Sequence, residues 1–245
     1  MPISHYCEKA RWALDRAGLT YHEERHVQGV HQLASRRAGG HGTLPVLITE
    51  HGTFADSEWI VRYADLHLQP EQRLFTGDPA VEQLCRELDA GLGPDGRRLI
   101  YAHMLARPEL MLAYNNQGVP AWEAKALTRF YPLAARWAKR ELKIEDLADD
   151  RARVLHAFDA IARRRSDGRK HLLGDRFTAA DLTFACLAAA IVLPPQYGVA
   201  LPQPADLPAA VREDVERFRA HPAGAYALEL FAKRRENAFA HRAAS

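Results

Sequence analysis

The stretch from Ser4 to Leu14 constrains the fold most, because it predicts a turn that runs directly into a buried helix. Ser4 stands at a helix N-cap position, and apolar residues then recur at three- and four-residue spacing until Gly18 ends the pattern. Cys7 follows Ser4 by three residues, so both fall at the N-terminus of this helix. Unpaired backbone N–H groups and the helix dipole favour a negative charge there. The stretch therefore predicts a place that holds a thiolate.

A β-hairpin is predicted further along the chain. Residues 44–49 are apolar and β-branched, and His51-Gly52 predicts a turn into a second strand. Pro45 cannot donate a hydrogen bond to a strand ladder, so it belongs at a strand end or in a special turn. Two interpretations fit its position: a cis peptide after Leu44, or a trans proline that begins the strand.

The pair Asp56-Ser57 follows the hairpin and begins another predicted helix. Such a pair is most often a helix cap. A free helix N-terminus with a hydroxyl also receives a carboxylate, and the carboxylate of Asp56 accepts hydrogen bonds from an ammonium group. A ligand that carries both groups, as an amino acid does, fits this position.

Together these motifs resemble the cytosolic glutathione S-transferase family, in a serine/cysteine-type, bacterial-like form. Ser4 replaces the first cysteine of the C-x-x-C motif of glutaredoxin-like domains, and Lys9, Arg11 and Trp12 follow it as in a transferase. The resemblance implies the fold class α/β plus all-α, with a thioredoxin-like N-terminal domain followed by an all-helical C-terminal domain. It also implies glutathione as co-substrate, a cis peptide before Pro45, and a homodimer. The glutathione-binding residues that it implies are Thr43, Leu44, Pro45, Asp56 and Ser57.

The start of the chain departs from this family pattern. A thioredoxin-like domain opens with a strand of about five or six residues before its active-site turn, whereas Met1, Pro2 and Ile3 alone precede Ser4. We expect the sequence to begin at an internal methionine or to have been shortened, so that this first strand is missing.

The chain is long enough for two domains, with 245 residues of which 47% are hydrophobic. We expect a glutathione-binding domain at 1–68, a linker rich in proline and glycine at 69–79, and a helical domain at 80–245. The predicted elements are an edge strand at 20–27, short helix 32–37, helical region 79–105 with a possible break near 91–94, and helices 120–142, 147–165, 208–220 and 223–239. Thr178 and Asp181 predict a capping box that begins an apolar, buried helix.

Charge and cysteine content exclude several classes of function. The net charge of +2 demands neither nucleic acid nor an anionic membrane as partner. Three widely spaced cysteines, Cys7, Cys85 and Cys186, indicate a reducing cytoplasm. His22 and His26 lie about 13 Å apart if they belong to one strand, too far to share an ion. We expect no metal, and glutathione with a small electrophile as the partners.

The predicted reaction is attack of the glutathione thiolate on a small hydrophobic electrophile. Ser4 donates a hydrogen bond to the sulfur in this hypothesis. Cys7 is the rival catalytic residue, since it would form a mixed disulfide with glutathione and give thiol transfer. Arg97, Tyr101 and Met104 share one helix face and are the candidates for binding the electrophile. A second class of function stays open: a non-catalytic glutathione-binding or protein-interaction module on the same fold.

Overall fold

Twelve α-helices and one two-stranded sheet form in the part of the chain that the computed structural model describes, residues 1–144 and 147–243. Residues 145–146 and 244–245, which the sequence analysis assigns to the helical domain, lie outside the described residues. The helices are α1 (His5–Arg16), α2 (Val30–Arg37), α3 (Ser57–Leu66), α4 (Pro79–Ala90), α5 (Leu92–Leu105), α6 (Pro108–Asn115), α7 (Ala121–Arg129), α8 (Tyr131–Glu141), α9 (Leu147–Arg164), α10 (Ala179–Val192), α11 (Ala209–Ala220) and α12 (Pro222–Ala243). The strands are β1 (Val46–Thr49) and β2 (Gly52–Ala55).

The predicted hairpin is confirmed. Strands β1 and β2 are antiparallel, with Val46 opposite Ala55 and Thr49 opposite Gly52. Gly52 has φ of +128°, a backbone conformation that glycine adopts without steric cost. The peptide bond between Leu44 and Pro45 is cis, in agreement with the first of the two interpretations. The N-terminal part of the chain thus has the small sheet and flanking helices of a thioredoxin-like domain.

The predicted edge strand over residues 20–27 is wrong, because the described residues contain no strand in this segment. A strand needs a neighbour that accepts and donates its backbone hydrogen bonds. Here the backbone N–H of Val27 donates instead to the carboxylate of Glu123, at 3.0 Å, and His26 Nδ1 lies 2.8 Å from the same carboxylate. The segment is therefore held by a side chain of α7, in the helical half of the molecule.

Two long predicted helices are each divided into two. The region 79–105 breaks at Gly91, inside the interval that the sequence indicates, and gives α4 and α5. The predicted continuous helix 120–142 is wrong, because it is interrupted at Phe130 between α7 and α8. Pro132 has no backbone N–H, and its ring would clash with the carbonyl of Thr128 in an unbroken helix. Helix α6 was not predicted, although Pro108 at its first position is a typical helix-start residue.

Helix α10 lies at the centre of the core and joins the two halves. Its side chains are buried along nearly its whole length, as the apolar sequence predicts. One continuous cluster of buried residues includes Ala13 of α1, Ile60 of α3 and Leu187 of α10. Because α1 packs against both α3 and α10, burial of apolar surface from both domains determines where α1 lies.

The carboxylate of Asp181 connects the start of α10 to its surroundings. The predicted capping box with Thr178 is present, and the Thr178 N–H donates to Asp181 at 2.8 Å. The same fully buried carboxylate accepts hydrogen bonds from the Leu172 N–H at 2.9 Å and from the Tyr226 hydroxyl at 2.5 Å. Asp181 therefore links the preceding loop, α10 and α12.

We predict that Asp181→Ala lowers the free energy of unfolding by about 3 kcal/mol or more, since it leaves several buried donors without an acceptor. Urea denaturation followed by circular dichroism measures the change. Asp175→Ala, at an exposed position in the same loop, is the matched control and should leave the midpoint unchanged. Equal midpoints for the two variants would contradict a central role for the buried carboxylate.

Candidate active site

A cavity of about 490 Å³ lies between the thioredoxin-like and helical domains. The N-terminal domain contributes Ser4, His5, Tyr6, Thr43, Leu44 and Asp56 among its lining residues. The helical domain contributes Asp89, Arg97, Tyr101, Trp137 and Leu142. Both polar and apolar side chains therefore surround this space, as in most small-molecule sites.

Ser4 caps α1 and faces the cavity. Its backbone is extended (φ −69°, ψ 123°), and its Oγ lies 3.5 Å from the Cys7 N–H, from which it accepts a hydrogen bond. A hydroxyl has one proton to donate as well as lone pairs that accept. Because the contact with Cys7 uses Ser4 as the acceptor, the hydroxyl proton remains available to a group in the cavity. The N–H groups of the first helical turn add a positive partial charge beside it.

Buried ionic groups hold the first two turns of α1 in place. The Glu8 side chain is fully buried, and its carboxylate accepts hydrogen bonds from Arg11, Arg234 and the Gly198 N–H, the last at 3.0 Å. Arg11 also pairs with Glu23 at 3.1 Å. These contacts join α1 to the segment before α2, the loop after α10, and α12.

Lys9 and Tyr6 attach α1 to α4. The buried Lys9 ammonium lies 2.7 Å from a carboxylate oxygen of Asp89, and the Tyr6 hydroxyl donates to the Asp89 backbone carbonyl at 3.1 Å. A Cβ at Gly93 would lie 2.2 Å from the Tyr6 oxygen, so a larger residue there would displace the ring. Lys9 and Arg11 belong to the sequence motif, and in the structure they pair with Asp89 and with Glu8 and Glu23.

The Cys7 side chain is buried in the first turn of α1. Its side chain is 8% exposed, and it is not among the residues that line the cavity. All three cysteines are free and buried. The Cys7 thiol is therefore a buried group that does not form part of the cavity wall.

The residues implied for glutathione binding lie together, although not all of them face the cavity. Thr43, Leu44 and Asp56 line it, whereas Pro45 and the buried Ser57 do not. The Asp56 N–H donates to the Pro45 carbonyl at 3.1 Å, which brings the helix start next to the cis peptide. The Ser57 hydroxyl lies 3.4 Å from Asp56 Oδ1.

Two backbone features of this wall are typical of a binding site. Asp56 has φ of +88° and ψ of 143°, a sparsely populated conformation for a residue other than glycine. Such residues concentrate at functional sites. Within the described residues, the Leu44 N–H and C=O form no hydrogen bond to the hairpin, whose ladder begins at Val46. Leu44 therefore offers a free donor and acceptor to an extended ligand.

Of the three residues predicted to bind the electrophile, Arg97 and Tyr101 line the cavity and Met104 does not. Met104 lies one turn further along α5 and is 3% exposed, packed in the second core cluster with Ile100 and Tyr131. The helical spacing was correctly recognised, but the cavity ends before the third position of the face.

Several residues that line the cavity were not predicted from the sequence. His5 and Tyr6 lie inside the motif itself, and their place in the first turn of α1 was the available signal. Burial lowers the pKa of His5 to about 3, with help from the nearby charges of Arg97 and Lys9. Burial also raises the pKa of Tyr6 to about 12. Both side chains are therefore neutral at pH 7.

No sequence pattern predicted that α8 and the residue after it form a wall of the cavity. Trp137 and Leu142 line the cavity, but their apolar spacing alone did not show which surface they cover. Trp137 belongs to α8, a helix separated from α7 at Phe130, and this break was not predicted.

Comparison with protein families identifies both domains. The profile described as glutathione S-transferase, N-terminal domain, matches residues 1–71, and the profile described as glutathione S-transferase, C-terminal domain, matches residues 78–221. The chain belongs to the glutathione S-transferase family. A comparison with curated proteins gave no match.

Solved structures of glutathione transferases share the fold. Glutathione transferase GSTFuA3 from Phanerochaete chrysosporium has a TM-score of 0.57 and 19% identity, over 96% of this chain and 93% of that one. Glutathione S-transferase CsGST63524 of Ceriporiopsis subvermispora, solved in complex with glutathione, has a TM-score of 0.55 and 18% identity, over 94% and 91%. Gtt2 from Saccharomyces cerevisiae has a TM-score of 0.52 and 18% identity, over 93% and 98%.

The described residues contain no group of three or more His, Cys, Asp or Glu side chains arranged to hold a metal ion. No helix within the same residues is long and apolar enough to cross a membrane.

The lowered pKa of His5 predicts a specific loss of stability in acid. The folded pKa of about 3 lies below the ordinary value of 6.5, so the unfolded chain binds more protons between these values. Stability is therefore complete above pH 6.5 and decreases as the pH falls. Because of His5, the free energy of unfolding decreases by about 2 kcal/mol as the pH falls from 6.5 to 5.

We expect His5→Gln to lose less stability than the wild type when urea unfolding is measured at pH 7 and again at pH 5. His22→Gln, at an exposed position, is the control and should behave as the wild type. If His5→Gln and the wild type lose the same free energy of unfolding, His5 is protonated in the folded state without cost and the interpretation fails.

Proposed function

We propose that this member of the family is a glutathione transferase in which Ser4 stabilises the glutathione thiolate. The observation that carries the proposal is the position of the Ser4 hydroxyl: it stands at the free N-terminus of α1, faces the cavity, and has its proton available. Thr43, Leu44 and Asp56 line the same cavity. This arrangement supports the serine-type assignment over the other forms of the family.

In this proposal glutathione is held by its cysteinyl and γ-glutamyl residues. Its cysteinyl backbone pairs with the free N–H and C=O of Leu44, next to cis-Pro45. Its γ-glutamyl carboxylate binds at the N-terminus of α3 beside Ser57, and its ammonium group binds the carboxylate of Asp56. The thiol then lies at the start of α1.

The chemistry follows from the pKa of the thiol. A free thiol has a pKa of roughly 8.5, so only a small fraction is thiolate near pH 7. A hydrogen bond from Ser4 and the partial charge of the helix end both favour the anion. The thiolate sulfur then forms a bond to the electrophilic carbon, and the leaving group departs with the electron pair of the bond that breaks.

Thiol transfer by Cys7 is the less supported candidate. A mixed disulfide requires the Cys7 sulfur to reach a glutathione sulfur, and Cys7 is buried and does not line the cavity. A non-catalytic binding module remains the other alternative, and it differs from the transferase in one measurable property, the pKa of the bound thiol.

We further propose a cytoplasmic homodimer. Three free cysteines within the described residues fit a reducing compartment. Ile48, Trp59 and Leu66 are exposed apolar residues of the N-terminal domain, which supports a partner surface there. The domain boundary is proposed at residues 69–79, a segment that contains the interval 72–77 between the two family matches.

The first test is an ultraviolet titration of the thiolate of bound glutathione. We expect its pKa in the wild type to lie about one to two units below that of free glutathione. In Ser4→Ala we expect a pKa near the free value and conjugation slowed by about 10²-fold, because a preorganised donor is lost.

Cys7→Ala is the matched control, since it changes a side chain one turn away on the same helix. It should keep both the lowered thiol pKa and most of the activity. Loss of activity in Cys7→Ala with retention in Ser4→Ala would reverse the assignment in favour of thiol transfer. Glutathione binding with an unchanged thiol pKa in the wild type would indicate a binding module instead.

A further inference from the structure

Helix α5 carries two consecutive arginines with opposite environments. Arg98 is fully paired, since it contacts Asp95 and lies 2.8 Å from Asp150. Arg97 forms no ion pair or hydrogen bond with any of the described residues, and its buried Nε has no acceptor. Yet Arg97 is only partly exposed and lines the cavity. A charge removed from water without a partner is unfavourable. An anion that enters the cavity would therefore gain a favourable ion pair with the Arg97 guanidinium.

Arg97 also provides the positive side-chain charge of the cavity. The other basic side chains among the described lining residues are His5 and His31. Burial lowers their pKa values to about 3 and about 4, so both are neutral at pH 7. Among the described lining side chains, an anionic group that enters the cavity therefore finds one fixed cation, contributed by α5 of the helical domain.

The acidic side chains around the cavity do not compete for Arg97. Asp89 pairs with Lys9 at 2.7 Å, and Glu58 pairs with Arg62 at 2.8 Å. Asp56 lies against the Ser57 hydroxyl, 3.4 Å away, at the start of α3. The remaining one, Glu141, is exposed on α8.

The side chains near Arg97 indicate what kind of group the rest of the ligand carries. Its charge acts on His5 and Tyr6, which places the guanidinium near the start of α1. Tyr101 follows one turn later on the same face of α5, and Trp137 and Leu142 form the α8 wall of the same cavity. A molecule held here thus has an apolar or aromatic body within reach of the thiolate.

We infer that the second substrate is a small acidic electrophile whose carboxylate binds Arg97 while its apolar body packs between Tyr101 and the α8 wall. The inference rests on the proposed transferase function. In the reaction, the thiolate sulfur forms a bond to the electrophilic carbon, the bond from that carbon to a halide or similar leaving group breaks, and the leaving group takes the electron pair. The thiol proton passes to solvent. The glycyl group of glutathione carries a second carboxylate that is able to bind Arg97.

Isothermal titration calorimetry with three ligands distinguishes the carboxylate of the second substrate from the glycyl carboxylate of glutathione. The ligands are glutathione, S-benzylglutathione and S-(4-carboxybenzyl)glutathione, of which only the last adds a carboxylate to the electrophile-derived part. In Arg97→Gln we expect the Kd of the carboxybenzyl conjugate to rise about tenfold, as for loss of a charged hydrogen bond. The Kd values of the other two should change less than about twofold. Arg97→Lys should recover part of the loss, because the charge is kept without the planar donor geometry.

Arg86→Gln is the matched control, since it removes one positive charge from an exposed position on α4. It should leave all three Kd values unchanged, and thermal unfolding of each variant checks that the fold is intact. An equal loss for all three ligands in Arg97→Gln overturns the inference and assigns Arg97 to glutathione itself. No change in Arg97→Gln also overturns it, while the glutathione site stands. Failure of the wild type to bind any of the three removes the proposed function as well.

Discussion

The buried carboxylate of Glu8 is the interaction on which the rest of the site depends. A charge that is fully removed from water is tolerated only with close partners, and Glu8 has Arg11, Arg234 and the Gly198 N–H. These partners come from α1 itself, from α12 and from the loop after α10. Their convergence fixes the rotation and depth of α1 between the two domains, and leaves its first turn as the end that meets the cavity.

Other contacts than those of Ser4 hold the body of α1. Apolar packing against α3 and α10 and the Lys9–Asp89 pair anchor it, so the position of the helix does not depend on a bond from the Ser4 hydroxyl. The two walls of the cavity then differ in kind. The N-terminal wall offers backbone groups and a strained Asp56 to an extended peptide-like ligand, whereas α5 and α8 offer aromatic surface and the unpaired guanidinium of Arg97.

Sequence patterns predicted the structure correctly where the hydrogen bonds join residues that are close in sequence. The cap at Ser4, the hairpin and the Thr178–Asp181 box were predicted because their hydrogen bonds join residues close in sequence. The strand predicted over residues 20–27 failed for the opposite reason. Its backbone partner is Glu123, almost a hundred residues away, and no pattern within the segment reveals that. The continuous helix predicted over 120–142 is wrong because Pro132 has no backbone N–H to donate, and the chain breaks at Phe130.

The sequence by itself determined the family resemblance, the two-domain fold and the residues at the start of α1 and α3, because these depend on short motifs in a fixed order. Only the tertiary structure decided which of them share a cavity. It placed Ser4, Asp56 and Arg97 around one space and left Cys7, Ser57 and Met104 outside its lining. The physical reason is that burial and pairing depend on contacts between distant segments. The residue type and the helical spacing indicate which interactions a side chain is able to form. Its contacts with distant segments determine which of these interactions it forms.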